Sequence, residues 1–197
     1  METNDSATRK RILDAALIQF SHRGYAGASV QAIVDAAQVT KPTLYYYFAN
    51  KAALFAALVD FAHDERLRLM QDAAGRGGTL EEKLTEILKA LFAFLKGHRD
   101  LMRLAFATAF ASPGELPEKM NYLKKPQRNF EFIHAMIKQE LAAGRLDRRF
   151  NSRQLAFGIQ GLLNIYAMAY LVLPDFRLNR NTAGSIVTLF MAGAAKK

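Results

Sequence analysis

The residues with the clearest potential for binding chemistry form one short stretch, residues 40–51, which reads TKPTLYYYFANK. The stretch combines hydroxyl groups, ammonium groups and flat apolar rings. Hydroxyl and ammonium groups donate hydrogen bonds to phosphate oxygens, and small apolar and hydroxyl groups suit base edges and thymine methyl groups. The stretch is therefore typical of a nucleic-acid contact. The alternative is a helical adaptor protein that uses the same tyrosines to bind another protein.

Helical spacing separates the side chains of this stretch into two faces. At about 100° per residue, Leu44 and Phe48 share one face and are predicted to pack into a small core. Tyr45 and Tyr46 fall on the opposite face, and Tyr47 lies on a flank nearer the core. We therefore expect at most one of the three tyrosines to be buried, with the other two available to a partner.

The elements that position this stretch are helices. Ser29, Thr40 and Asn50 are suited to cap three successive helices, and Pro42 falls in a first turn, where proline costs least. A helix before them is expected to end at Gly24, which tolerates positive φ. Helical periodicity over the whole chain predicts about nine helices, over about 8–23, 30–37, 41–48, 51–73, 80–96, 99–111, 125–143, 152–173 and 180–194.

This pattern predicts an all-α protein with two parts. The first part, residues 1–51, is a three-helix domain in which a helix, a short turn and a second short helix form a helix-turn-helix arrangement. The second part, residues 52–197, is a larger helical domain. Short helices bury little apolar surface alone, so the first part needs the start of the fourth helix to complete its core.

Composition argues against several other classes of protein. The chain of 197 residues contains no cysteine, which excludes disulfides and thiolate metal sites. Its net charge is +9, but residues 1–51 carry six basic and four acidic side chains, so basicity does not single out the first part. The four histidines are dispersed, and no metalloprotease, phosphate-loop, dinucleotide or nucleophile-elbow motif is present. We expect no enzymatic activity, no cofactor and no metal.

One segment is long and apolar enough for a membrane span. Residues 155–174 read LAFGIQGLLNIYAMAYLVLP and carry no charge. Gln160 and Asn164 would lie near the centre of the bilayer, so a helix buried on several sides in a soluble bundle is the preferred interpretation. The polar N-terminal residues show no secretory signal, and we expect a cytoplasmic protein without a membrane partner.

Residues 24–58 read GYAGASVQAIVDAAQVTKPTLYYYFANKAALFAAL, and this stretch closely resembles the N-terminal signature of TetR-type (TetR/AcrR-like) transcriptional regulators. The core KPTLYYYF followed by NK is the most specific part of the match. The resemblance implies a homodimer that binds a palindromic DNA operator and leaves it when a small molecule binds. Such proteins are mostly repressors, and an activator remains open.

The resemblance also implies which residues touch DNA. Gln31 stands where arginine is frequent, so it suits either adenine or a phosphate. Gln38 stands where glycine is usual, and a left-handed conformation there would cost about 1 kcal/mol. The remaining expected contacts are with phosphates and base edges, and the full predicted set comprises Ser29, Gln31, Thr40, Lys41, Pro42, Thr43, Tyr45, Tyr46, Tyr47 and Lys51.

For the second domain the resemblance implies a ligand cavity and a dimer interface. Adaptable apolar side chains suit a cavity wall, so we expect the ligand to be apolar, and either neutral or anionic, with contacts from Phe92, Met102, Phe106 and Phe130. The last two helices are expected to form an isologous four-helix interface through Ile159, Leu163, Tyr166, Tyr170, Val187 and Phe190. Ligand binding is expected to shift the fourth helix, which carries Lys51, and to change the spacing between the DNA-binding domains of the two subunits.

Overall fold

The computed structural model describes residues 2–76, 78–112, 114–117 and 124–195, with side chains from residue 5 onward. Over these residues the predicted all-α fold with nine helices is confirmed. The helices are α1 (Glu2–Gly27), α2 (Val30–Ala37), α3 (Lys41–Tyr47), α4 (Lys51–Ala74), α5 (Leu80–Gly97), α6 (Arg99–Thr108), α7 (Lys124–Ala142), α8 (Ser152–Val172) and α9 (Thr182–Ala194).

Side-chain caps start the three helices that carry the candidate site. Ser29 Oγ accepts a hydrogen bond from the backbone N–H of Ala32 at 3.5 Å, and Thr40 Oγ1 accepts one from Thr43 at 3.3 Å. The start of α4 is capped by Asn50 Oδ1, whose partner N–H is 2.8 Å away. Each cap satisfies a backbone donor that the helix itself leaves unpaired.

Two residues with positive φ punctuate the first helices. Gly24 has φ 67° and breaks α1, which continues for three residues beyond it. Gln38 ends α2 in the left-handed region, with φ 53° and ψ 48°. The sequence left the conformation of this turn open, and Gln38 adopts the left-handed one although it has a Cβ, at a cost of about 1 kcal/mol. The cost is offset by backbone hydrogen bonds from the Gln38 N–H to carbonyl groups of α2.

The chain divides into two compact units whose boundaries differ from the one expected after residue 51. The first unit contains α1, α2, α3, residues 51–63 of α4, and α6. Helix α6 belongs to this unit because it packs on α1. The core of the unit includes Phe20 and Phe55, whose rings meet edge to face at 5.1 Å, together with Ile12, Ile33 and Leu44.

The second unit contains residues 64–74 of α4 together with α5, α7, α8 and α9. Helix α7 packs on α8, and α9 packs on both α5 and α8. A reciprocal capping box at Asn151 and Gln154 starts α8. One face of α8 is buried and consists of Leu155, Ala156, Ile159, Leu163, Ala167 and Leu171.

This burial corrects four of the residues predicted for the dimer interface. Ile159 and Leu163 on α8 are 2% and 5% exposed, and Val187 and Phe190 on α9 are 0% and 8% exposed. Their own subunit already covers them, so they form the core of the second unit rather than a surface. The sequence pattern could not separate the faces of α8, because that helix is apolar on nearly all sides.

The outer face of α8 carries an uncovered apolar strip. Phe157, Ile165, Met168 and Val172 are all exposed and recur at helical spacing. Gly161 lies on the same strip, and a Cβ placed there would meet no atom within 4 Å. Helix α8 also has the length and mean hydropathy, 1.6, of a membrane span, but its opposite face lies in a protein core, as in a soluble helical bundle.

Candidate nucleic-acid interface

Two apolar anchors hold α3 against the first unit. Leu44 is fully buried and Phe48, just after the helix, is 4% exposed. The Arg9 guanidinium lies 5.2 Å from the centre of the Phe48 ring, so α1 covers this anchor from outside. The predicted inward face of the stretch is confirmed, and the position of the outward face follows from it.

The opposite face of α3 presents two rings to solvent. Tyr45 is 46% exposed and Tyr46 is 77% exposed. Lys41 and Pro42, in the first turn, are exposed as well. The predicted orientation of these side chains is confirmed, and together they form a surface of phenol, ammonium and small apolar groups, which we call the α3 face (Lys41, Pro42, Thr43, Tyr45, Tyr46).

Thr40 and Thr43 are coupled to each other at the start of α3. Their hydroxyl oxygens lie 2.8 Å apart, within hydrogen-bond distance. Thr40 is exposed and Thr43 is half-buried. Because Thr40 also accepts the capping hydrogen bond, its side chain is held in one orientation before any partner arrives, which lowers the entropy lost on binding.

Tyr47 is directed towards α1. Its hydroxyl group donates a hydrogen bond to the carboxylate of Asp5, and its ring meets the ring of Tyr46 edge to face at 5.0 Å. The hydrogen bond to Asp5 raises the pKa of Tyr47, so the phenol remains a donor at neutral pH. A phosphate could use this donor only in place of the Asp5 carboxylate.

Lys51, predicted to contact a phosphate, has partners within the first unit. Its Nζ donates to the carbonyl oxygens of Ala28 at 2.9 Å and Ala26 at 3.3 Å, and lies 4.6 Å from the centre of the Tyr25 ring. Desolvation lowers the pKa of Lys51. Two of the three ammonium donors bind carbonyl groups beside α1 and α2, so Lys51 fastens the helices of the first unit, and its contact with a phosphate stays a prediction.

Helix α2 contributes two exposed polar side chains near its start. Ser29 is occupied as a cap, and Gln31 Nε2 donates to Asp35 Oδ1 at 2.8 Å. Asp35 thereby fixes the Gln31 amide with its donor directed along α2 and leaves the Gln31 carbonyl oxygen for other donors. An acceptor in this position suits a base amino group better than a phosphate oxygen.

Two partners of the site residues lay beyond the reach of sequence reasoning. Asp5 lies 42 residues before Tyr47, and Tyr25 lies 26 residues before Lys51. Neither lies within residues 40–51, and periodicity within single helices carries no information on such pairs. Both contacts depend on the packing of α1 against α3 and α4.

The four residues predicted to touch a ligand are distributed over both units. Phe92, in the second unit, and Met102, in the first, are buried at 5% and 7% exposure. Phe106, in the first unit, is half-buried. Phe130, in the second, is also half-buried, and its ring centre lies 4.6 Å from that of Phe157 and 5.9 Å from that of His134. The ligand role of these residues stays a prediction.

A family model places the interface among known proteins. The model described as "Bacterial regulatory proteins, tetR family" matches residues 12–58, which span most of α1, all of α2 and α3, and the beginning of α4. The chain is a transcriptional regulator of the TetR family. As a DNA-binding regulator of that family it is not an enzyme, and the matched residues are those that build the α3 face.

Relatives of this TetR-family regulator extend the similarity beyond the matched segment. The uncharacterized HTH-type transcriptional regulator YdgC of Bacillus subtilis is 29% identical over 73% of this chain and 77% of its own. The fatty acid metabolism regulator protein of the same organism is 25% identical over 75% of this chain and 77% of its own. A TetR family transcription regulator from Marinobacter aquaeolei has the same fold, with a TM-score of 0.77, 20% identity and full coverage of both chains.

Proposed function

We propose that this regulator is a cytoplasmic homodimer that represses transcription from a palindromic operator and leaves the operator when a small molecule binds. The observation that carries the proposal is the α3 face, on which Tyr45 and Tyr46 are held outward beside Lys41 while Leu44 anchors the helix. Exposed tyrosines of a free-standing protein would cost solubility without a partner. A partner with phosphates and base edges fits their hydroxyl and ring chemistry.

The residues of the α3 face have different proposed roles on DNA. Pro42 and Thr43 lie against base edges, and Tyr45 lies against a backbone phosphate or a thymine methyl group. Lys41 and Tyr46 bind phosphates and position the helix. Thr40, Ser29 and Gln31 contribute at the edges of the same surface. Tyr47 and Lys51 support it from behind through their contacts with α1.

A palindrome has two half-sites, so the protein needs two DNA-binding domains and must be a dimer. The exposed strip of α8 supports the formation of that dimer. Its apolar side chains lie on one face of a helix, and α9 adds Leu189, which is 59% exposed. An isologous interface in which the strip meets its own copy would bury these side chains and join α8 and α9 of both subunits. The proposed interface therefore consists of Phe157, Ile165, Met168, Val172 and Leu189, with half-buried Tyr166 and Tyr170 at its margin.

Helix α4 offers the route from ligand to DNA. Residues 51–63 belong to the first unit and residues 64–74 to the second, within one continuous helix. A ligand that binds one position of α4 better than another shifts the protein towards that position. The two half-sites of a palindrome lie about one helical turn apart. A small shift of each DNA-binding domain therefore weakens simultaneous binding to both half-sites.

In vitro selection of DNA sequences tests the proposal directly. We expect recovery of a near-palindrome whose half-sites are about 10 bp apart or a multiple of that spacing. Its affinity should fall steeply with salt, since the basic side chains release counterions from phosphates. Absence of any sequence preference, with affinity independent of salt, would contradict the proposal. Retention of a protein partner by the same tyrosines would instead favour the adaptor function.

A further inference from the structure

Arg66 is a cation with a buried atom that lacks a partner. It lies on α4 in the second unit, and its Nε is buried without a hydrogen-bond acceptor in the described part of the chain. Its terminal nitrogen makes a long contact of 3.5 Å with Asn164 Oδ1 on α8. That same oxygen already accepts a hydrogen bond from Gln160 at 2.9 Å. The guanidinium thus shares one neutral acceptor and leaves most of its five donors unused.

The environment of Arg66 is unfavourable for a lone charge. Desolvation lowers the pKa of Arg66 to about 10, and no carboxylate among the described residues acts against this effect. A pKa of about 10 still leaves the side chain charged at neutral pH. Burying a charge without a counterion is among the most costly arrangements in a protein interior. The stability of the ligand-free fold therefore does not explain why an arginine occupies this position.

Other arginines of the chain show the contrast. Five arginines at exposed positions, where an ion pair contributes little, are paired with carboxylates: Arg68 with Glu65 and Asp72, Arg128 with Asp64, Arg145 with Glu140, Arg149 with Asp147, and Arg153 with Glu131. Arg66 would gain most from a carboxylate and has none among the described residues. The missing counterion is therefore one that the described part of the chain does not supply.

Access for an outside anion follows from the exposure of the same side chain. Arg66 is strongly desolvated, yet its side chain is only half-buried. Gln160 and Asn164, on the adjoining helix, are half-buried too. The side chain is therefore accessible to a solute from outside although its Nε is buried. Met70, one turn further along α4, is fully buried in the apolar core of the protein.

We infer that Arg66, with Asn164 and Gln160 beside it, binds the carboxylate of an apolar small molecule that acts as the effector. The planar fork of the guanidinium matches a carboxylate with two parallel hydrogen bonds. The inference rests on the proposed function, whose effector it specifies by chemical class. The anion binds directly to α4, so the conformation in which Arg66 is paired becomes more populated.

The test uses the full-length protein and matched alkyl probes below their micellar concentrations. Hexanoate, decanoate and benzoate vary the body of the anion, and decanol and decylammonium replace the carboxylate of decanoate. We expect at least one carboxylate to raise the thermal unfolding temperature and to weaken binding to the selected operator, with no such effect of the alcohol or the amine. In Arg66→Met the concentration of that carboxylate needed for half effect should rise about 10- to 100-fold.

Two further variants keep the result interpretable. Arg66→Lys retains the charge without the planar fork and should show an intermediate response. Arg23→Met removes one charge from a groove of about 480 Å³ in the first unit and should respond like the wild type. Without ligand, Arg66→Met should unfold at the same temperature as the wild type or higher, because an uncompensated buried charge has been removed.

Several outcomes would overturn the inference. They are a wild type that none of the three carboxylates stabilises, an unchanged carboxylate response in both Arg66 variants, a response lost in Arg23→Met alone, or a marked loss of stability in ligand-free Arg66→Met. Thermal stabilisation by an anion does not depend on DNA. A wild type that is stabilised through Arg66 but binds no operator would therefore contradict the proposed function and leave the anion site supported.

Discussion

The α3 face and the outer strip of α8 both expose large apolar side chains, but the chemistry of the two surfaces differs. Tyr45 and Tyr46 carry hydroxyl groups and stand next to an exposed lysine. Ile165 and Val172, which are 57% and 69% exposed, carry no polar atom in their side chains. A surface of the first kind suits a hydrated polyanion, and a surface of the second kind suits a copy of itself. Exposure alone marks a contact surface, and side-chain polarity separates the partners.

The two surfaces also differ in how they are held. Helix α3 is short, and a cap, two buried anchors and the Asp5 contact fix its orientation. Helix α8 has 21 residues and a buried face along its length. A short helix can be displaced by loss of a few contacts, whereas a long helix that is buried along its length moves with its whole unit. Changes to each surface should therefore have separable effects.

The largest expected effect is on the α8 strip. Replacing Ile165 and Val172 by aspartate places charges in the proposed interface, and we expect the mass in solution to halve because an apolar interface does not tolerate unpaired charge. Operator affinity should fall by a factor of about 100 or more, since the half-sites are then bound separately. Sedimentation and anisotropy measure the two quantities.

The matched control for this change is Phe110→Asp, at a residue of the first unit that is 76% exposed. That variant should keep the mass and operator affinity of the wild type. Affinity for an isolated half-site should be unchanged in both proteins. A dimeric Ile165→Asp, Val172→Asp protein would show that the strip of α8 is not the interface.

A smaller effect distinguishes the two lysines near α3. Lys41→Ala should weaken operator binding and reduce the dependence of log affinity on log salt by about 0.9, because one phosphate contact is lost. Lys51→Met should leave that salt dependence unchanged and lower the free energy of unfolding by about 1 kcal/mol, because the carbonyl groups of Ala26 and Ala28 lose a donor. Salt titrations combined with urea unfolding separate the roles. The same reduction of the salt dependence in both variants would restore Lys51 as a phosphate contact.

The smallest expected effect is at the turn before α3. Gln38→Gly should raise the free energy of unfolding by up to about 1 kcal/mol, since glycine adopts the left-handed conformation without strain. Gln38→Ala retains the Cβ and should give no comparable gain. Urea unfolding of both variants is the measurement. Equal stability of the two would show that the backbone of Gln38 is not under strain.

The sequence predicts which side chains are exposed better for α3 than for α8, and the reason is physical. Around α3 the polar and apolar residues alternate at helical period, so the burial of Leu44 and the exposure of Tyr46 could both be predicted from the sequence. Along α8 nearly every position is apolar, and the pattern gives no phase. The predicted interface residues Ile159 and Leu163 lie instead on the buried face.

Long-range pairs marked the other limit of prediction. The roles of Lys51 and Tyr47 depend on Tyr25 and Asp5, which are distant in the chain. Arg66 is one of many basic residues in the sequence, and nothing in its local pattern distinguishes a buried arginine from a solvated one. Only its partners and its burial do so. The family signature, by contrast, is local, and it indicated the DNA-binding part from residues 24–58 alone.

The outward tyrosines of α3 are proposed to bind DNA, and one titration measures their contribution to operator affinity. Fluorescence anisotropy would compare the wild type with a Tyr45→Ala, Tyr46→Ala variant on the selected operator at a fixed salt concentration. Loss of two DNA contacts of about 1.5 kcal/mol each predicts an affinity about 100-fold lower, with mass and helicity unchanged. Ile18→Ala, at an equally exposed position on α1, is the control and should bind as the wild type does. An unchanged operator affinity in the double tyrosine variant would contradict the account.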